Sequence, residues 1–186
     1  ATHKKEMWWT RGGKRGMDGY PLDALRLYRW EELLFIDPLT KGVVVCEGEK
    51  SANAIATAAA AQGFIAVSTV CGASSIPSDE SLSALRGFFV ALWPDHDAPG
   101  ESHMQRIAYR LATIEPGNWP FWLTWDGAPD KGDAADFMAA GLDLGELLGN
   151  AKPWNGGVLP GVAPITLAEP ATKSEMPIPS RYGRSL

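Results

Sequence analysis

Two short apolar runs that do not alternate with polar residues, Val43-Val44-Val45-Cys46 and Phe88-Phe89-Val90-Ala91-Leu92-Trp93, constrain the fold of this chain more than any other feature. A strand with one wet face alternates, whereas a strand covered on both faces does not, and such strands belong to parallel sheets flanked by helices. Lys41-Gly42 leads into the first run, and Gly87 and Pro94 bound the second. Between them, residues 50–62 form an Ala-rich stretch of good helix formers, with Gly63 placed as a C-terminal stop. Phe64-Ile65-Ala66-Val67-Ser68 predicts a further strand. Residues 100–115 carry Met104, Ile107, Ala108, Leu111 and Ile114 at helical spacing before Pro116-Gly117, and Phe121-Trp122-Leu123-Thr124-Trp125 predicts a last strand. This alternation predicts an α/β protein: a compact, Rossmann-like open sheet of about four mainly parallel strands flanked by helices.

In sheets of this kind the ligand crevice lies outside the carboxyl ends of the strands. Two acidic clusters fall there. Glu47-Gly48-Glu49-Lys50 follows the first run directly, and Asp95-His96-Asp97 follows the second with only Pro94 between. Asp95 and Asp97 are two residues apart, a spacing that in extended chain sends both carboxylates to one side. Carboxylates held that close repel one another unless a cation or a shared proton compensates them. Oxygen-only ligands suit a hard ion, so Mg²⁺ or Mn²⁺ is the expected cofactor.

Three segments in order, Glu47-Gly48-Glu49-Lys50-Ser51-Ala52, Asp95-His96-Asp97-Ala98-Pro99-Gly100 and Lys131-Gly132-Asp133-Ala134-Ala135-Asp136-Phe137, resemble the successive motifs of the Toprim domain. That domain is shared by bacterial-type primases, type IA and type II topoisomerases and some nucleases. The resemblance is closest to primases and primase-helicases of phages, plasmids and integrated mobile elements. In those relatives a Trp-rich, Arg/Gly-rich segment leads to a Leu-Tyr-Arg-hydrophobic-Glu-Glu-Leu-Leu signature. Here Trp8-Trp9-Thr10-Arg11-Gly12-Gly13 leads to Leu27-Tyr28-Arg29-Trp30-Glu31-Glu32-Leu33-Leu34. The likeness spans about residues 8–150.

The resemblance implies roles. Glu47 matches the Toprim glutamate, a general acid or base in nucleotidyl transfer or strand cleavage. Asp95 and Asp97 match the metal-binding pair, and Asp133 resembles a further acidic position beside them. Lys50, at the catalytic cluster, and Lys131 would offer positive charge to a nucleotide or nucleic acid. Asp136 is either an outer ligand or a helix-start residue. Many relatives carry an acid where this chain has Ser51, which leaves Glu49 as a replacement or one ligand short. Ser74 and Ser75 follow Gly72 where relatives often have paired glycines. The implied function is primer synthesis in DNA replication of a phage or mobile element, with single-stranded DNA template, nucleoside triphosphates and a helicase domain or protein as partners. The alternatives are Toprim-type DNA cleavage, as in nucleases and topoisomerases, and a non-catalytic Toprim module that binds nucleic acid or regulates.

Plainer readings stand beside these. An acidic pair after a strand also serves as a helix cap or solvated turn, and Lys50 also reads as a solvated helix-start residue. Trp119, Phe121, Trp122 and Trp125 read as core and edge packing. Trp8 and Trp9 lie among Lys4, Lys5, Arg11, Lys14 and Arg15, the mixture of aromatic and basic residues that a single-stranded nucleic-acid surface uses, and packing is the competing role. Receiver domains and haloacid-dehalogenase-type phosphatases place their acidic pair after the first strand of the sheet, so strand order argues against both.

At 186 residues and 45% hydrophobic content the chain buries one good core, and its net charge of −5 argues against strong non-specific nucleic-acid binding by the whole molecule. Charge is uneven: the N-terminal part is basic, and residues 126–146 are acidic, so nucleic-acid contact is expected to begin on the N-terminal side. Residues 1–40 read as a basic, aromatic-containing lead-in, 41–150 as the Toprim domain, and 151–186 as a Pro/Gly-rich linker or tail. Cys46 and Cys71 suit a reduced, cytoplasmic protein and cannot build a four-ligand zinc site. Complete primases of this type usually add a Cys/His zinc module and often a helicase region, so the sequence reads as an excised piece or a reduced relative. No signal peptide and no membrane-spanning run is expected.

Overall fold

The computed structural model describes residues 10, 11, 13–15, 19, 21, 24–70 and 72–156. Trp8, Trp9, Lys4, Lys5, Gly12 and Cys71 lie outside the described residues, as do the side chains of Arg11 and Lys14. A small antiparallel hairpin, β1 (Thr10–Arg11) with β2 (Lys14–Arg15), comes first. The main sheet contains β3 (Gly42–Cys46), β4 (Phe64–Ser68), β5 (Phe89–Trp93), β6 (Phe121–Trp122) and β7 (Lys152–Pro153), in the spatial order β4-β3-β5-β6-β7. Its helices are α1 (Glu49–Ala61), α2 (Asp79–Leu82), α3 (Ala98–Ile114), α4 (Ala134–Ala139) and α5 (Leu144–Gly149). β4, β3, β5 and β6 are mutually parallel, and only β7 runs antiparallel, against β6.

The unbroken apolar runs are explained by cover on both faces. Val43, Val45, Ile65, Val67, Val90 and Leu92 face a core completed by Met104, Ile107 and Leu111 of α3. The intervening Val44, Cys46, Ala66, Ala91 and Trp93 face a second core completed by Ala52, Ile55 and Ala59 of α1, Phe137 of α4, and Leu144 and Leu148 of α5. The sheet is thus an open, mostly parallel layer between two helical layers.

Strand order sets the place of the site. From β3 the chain passes through α1 to β4 on one side, and from β5 it passes through α3 to β6 on the other. Because α1 and α3 cover opposite faces, the winding reverses between β3 and β5, and their carboxyl ends part there to leave a crevice. Glu47 and Asp95 sit at those two ends.

Two features extend the sheet beyond the sequence reading. The Leu27–Leu34 signature docks on the β4 edge: Tyr28 and Ser68 exchange backbone hydrogen bonds of 2.9 and 3.4 Å, Leu27 is buried, and Trp30–Leu33 forms a short 3₁₀ turn. At the other edge, β7 falls inside the segment read as a tail, and Trp154 is buried with its ring 6.3 Å from that of Trp119. The folded unit therefore runs past residue 150. Two isolated strand residues beside a lone tryptophan carry no periodic signal, so their pairing could not be read locally.

Candidate functional site

Cys46 ends β3, and Glu47 is the first residue beyond it. The Thr69 N–H donates to the Cys46 carbonyl at 3.1 Å, and the Thr69 hydroxyl donates to the Glu47 carbonyl at 2.7 Å. A hydroxyl has one proton, so the Thr69 oxygen must accept in its remaining contact, 3.1 Å from His103 Nε2. His103 is fully buried in α3, and burial, with the nearby Arg106, pushes its pKa down to about 4. It is neutral at pH 7 and carries its proton on Nε2. Among the described residues the buried Nδ1 finds no hydrogen-bond partner, and the Ala73 backbone lies near enough to oppose the pKa shift. His103 and Thr69 tie the ends of β3 and β4 to α3, and sequence reasoning missed both. The available signal was a histidine placed on the apolar stripe beside Met104 and Ile107.

The Glu47 carboxylate turns back against Gly100 in the first turn of α3. An ideal Cβ at Gly100 would stand 2.8 Å from Glu47 Oε2, 2.8 Å from the Asp95 carbonyl oxygen and 3.1 Å from Asp95 Cβ. Only a glycine lets the helix approach so closely. Among the described residues Glu47 Oε2, itself buried, has no hydrogen-bond partner. Burial raises the Glu47 pKa, Asp97 adds to this, and the Ala73 backbone amide opposes it.

Asp95 and Asp97 follow β5 in a tight turn in which the Asp97 N–H reaches the Asp95 carbonyl at 2.8 Å. Asp97 is the N-cap of α3, its Oδ1 accepting from the Gly100 N–H at 2.8 Å. One oxygen is engaged and the other is left for a ligand. Asp95 is pushed up to about 7, first by burial and then by the charges of Glu47, Asp133 and Asp97, with Lys50 pulling the other way. His96 is exposed between them, and its backbone zips this turn to the next loop: its N–H donates to Gly132 O at 2.9 Å, and its carbonyl accepts from Lys131 N–H at 3.0 Å. Lys131 adopts the left-handed conformation, φ 59°, to make that bond.

Asp133 is the N-cap of α4, in a reciprocal capping box with Asp136. Its Oδ1 accepts from the Asp136 N–H at 2.9 Å, and its Oδ2 pairs with Lys50 Nζ at 3.0 Å. Although burial favours its neutral form, the Asp136 N–H and Lys50 hold its pKa below the ordinary value. Lys50 is raised, chiefly by its hydrogen bond to Asp133. Both Asp133 oxygens are therefore engaged, and Asp136 serves as a helix-start residue. Glu49 is exposed, while Ser51 is buried in α1.

The structure thus gathers Glu47, Asp95, Asp97, Asp133 and Lys50 at one end of the sheet, with Lys131 in the adjoining loop. Arg11, Lys14 and Arg15 belong to the separate β1–β2 sheet. Among the described residues, no three His, Cys, Asp or Glu side chains form a ready-made metal-ligand group. The donor chemistry still fits a hard divalent ion: among the described residues Glu47 has an orphaned buried oxygen and Asp97 a free one, and Asp95 is raised by burial and then by its negative neighbours. Cys46, although adjacent, is fully buried, and burial with Asp95 and Asp133 keeps its thiol protonated.

No family model matches the chain, and no curated protein does so either. Among the described residues no helix is long and apolar enough to cross a membrane.

Proposed function

We propose that this chain is the Toprim-type catalytic domain of a DNA primase, of the primase-helicase kind used by phages and mobile elements, which joins nucleotides on a single-stranded DNA template. The observation that carries the reading is the meeting of Glu47 with Asp95 and Asp97 across the point where the sheet reverses its winding. Glu47, Asp95 and Asp97 would hold Mg²⁺ or Mn²⁺, which supplies charge stabilisation to the phosphate under attack and its leaving oxygens.

The residues of the chain divide the remaining work. Glu47, with its raised pKa, accepts or returns a proton at the attacking 3′-hydroxyl. Lys50 is exposed and held only at its tip, 3.0 Å from Asp133 and 4.0 Å from Asp136, so it can swing from those carboxylates to a phosphate oxygen. The paired loops at His96 and Lys131–Gly132 hold the acidic turn in place through two backbone hydrogen bonds. A helicase domain or partner would deliver the template.

The test is primer synthesis on single-stranded DNA with nucleoside triphosphates and Mg²⁺ or Mn²⁺, comparing the wild type with Glu47→Gln and Asp95→Asn. Metal-dependent product that disappears in both variants is expected. Synthesis surviving both would overturn the mechanism, and metal-dependent DNA cleavage without synthesis would move the protein to the nuclease branch.

A further inference from the structure

Beside the acidic turn, at the carboxyl edge of β5 and β6, opens a cavity of about 330 Å³. Asp95 and Asp97 line one part of it; the half-buried Trp122 and Trp125 and the exposed His96 and Glu101 also line it. Its size lies at the small end of the roughly 300–1,000 Å³ range of ligand pockets. A space of that size takes part of a nucleoside triphosphate.

Which part follows from the walls. Carboxylates reach phosphates only through a cation, so phosphates belong at Asp95 and Asp97. Indole faces instead suit the flat π-surface of a base, a contact that tolerates any base. Both rings are held before a ligand arrives. Trp125 meets Phe137 edge-on at 5.4 Å and 90°, Phe137 meets Trp93 at 5.2 Å and 79°, and Trp122 packs, partly buried, against the core on the α3 side of the sheet. Preorganised rings lose little freedom on binding. Trp119, by contrast, packs on the buried Trp154 and serves the core. Glu101 gives one oxygen to Gln105 at 3.0 Å and keeps the other as an acceptor for an exocyclic amino group.

We infer that this cavity is a nucleobase subsite, taking the base of a nucleoside triphosphate whose phosphates lie at Asp95 and Asp97. The inference rests on the metal-dependent nucleotide reading above and adds where the base goes. It reassigns Trp122 and Trp125 from plain packing to ligand contact.

Calorimetric titration of the whole chain with ATP, tripolyphosphate and adenosine, each with and without Mg²⁺, tests it. ATP should bind at least about tenfold more tightly than tripolyphosphate, in keeping with the roughly five- to hundredfold that stacking on one aromatic ring contributes. Trp125→Ala should erase that preference while leaving tripolyphosphate affinity unchanged. Because Trp125 also packs on Phe137, Ala128→Phe provides a second variant: it fills the cavity from its lining without removing a ring, and should have the same effect. ATP binding no tighter than tripolyphosphate, or a preference that survives both variants, overturns the inference. Mg²⁺-dependent tripolyphosphate binding without preference for ATP would do so while sparing the metal reading. Adenosine binding that Ala128→Phe abolishes, with no Mg²⁺ dependence for any ligand, would sustain the cavity and sink the metal reading.

Discussion

The Thr69 hydroxyl spans the ends of two strands and a helix: it donates to the Glu47 carbonyl at 2.7 Å and accepts from His103 at 3.1 Å. Thr69→Val keeps the shape and deletes both bonds, leaving a buried carbonyl and a buried ring N–H unpaired. The expected cost is about 1–3 kcal/mol in urea unfolding. Thr69→Ser keeps the hydroxyl and should lose only the methyl contact, about 1 kcal/mol. A Thr69→Val variant as stable as the wild type would show that the bonds contribute nothing.

Gly100→Ala tests the close approach of α3 to Glu47. In an ordinary helix the exchange gains up to about 1 kcal/mol. Here the added methyl meets the Asp95 carbonyl and Glu47 Oε2, both at 2.8 Å, and one of these is backbone that cannot swing aside. Net destabilisation of about 1–3 kcal/mol is expected, together with weakened Mg²⁺ binding as Glu47 is displaced. A stabilised variant would mean that the acidic turn and the helix are not held this tightly.

Much of this was legible in the sequence because the strands are buried on both faces. Val43-Val44-Val45-Cys46 and the run ending at Trp93 announce their burial, and the acids immediately after them inherit a position at the sheet edge. What could not be read came from contacts distant along the chain. Asp133 caps α4 through the Asp136 N–H and also pairs with Lys50, 83 residues away, a contact that no local pattern announces. His103 and Thr69 are 34 residues apart, and no local pattern pairs them. Trp154 lies beyond the last periodic segment and is still core.

The pH dependence of stability separates Asp95 from its surroundings. Its folded pKa is raised from 3.8 to about 7, so between those values the folded state holds a proton that the unfolded state has released, and this contribution to stability is lost as pH rises. His103 works oppositely: lowered from 6.5 to about 4, it makes the folded state the poorer proton binder, so stability rises across that interval. Glu47, raised, and Asp133, lowered, add to the wild-type curve, and the difference from Asp95→Asn reads chiefly the aspartate. At pH 8 without divalent ions, Asp95→Asn should be more stable by about 2 kcal/mol after allowance for partial exposure, and at pH 4 the gap should close. Mg²⁺ should raise the wild-type melting temperature at pH 8 and leave Asp95→Asn nearly unmoved. A gap independent of pH would show that neither burial nor the charges of Glu47, Asp133 and Asp97 raise Asp95.

Lys50 and Asp133 form an ion pair whose members should respond unequally to substitution. The Lys50 side chain is 70% exposed against 17% for Asp133, so the pair itself stabilises by no more than about 1 kcal/mol. Lys50→Met should therefore melt close to the wild type. Asp133→Ala also removes the cap of α4, which costs about 1 kcal/mol in addition, while Asp133→Asn retains a capping oxygen and should fall between. Activity should rank differently. If Lys50 leaves Asp133 to meet a phosphate, Lys50→Met loses roughly tenfold or more in primer synthesis, equivalent to ~1.4 kcal/mol, with its fold intact. Asp133→Asn, which leaves Lys50 only the longer 4.0 Å contact with Asp136, should then keep more activity than Lys50→Met despite its lower stability. Activities that simply follow melting temperature across the three variants would assign the pair to holding α4 against α1 and remove Lys50 from the chemistry.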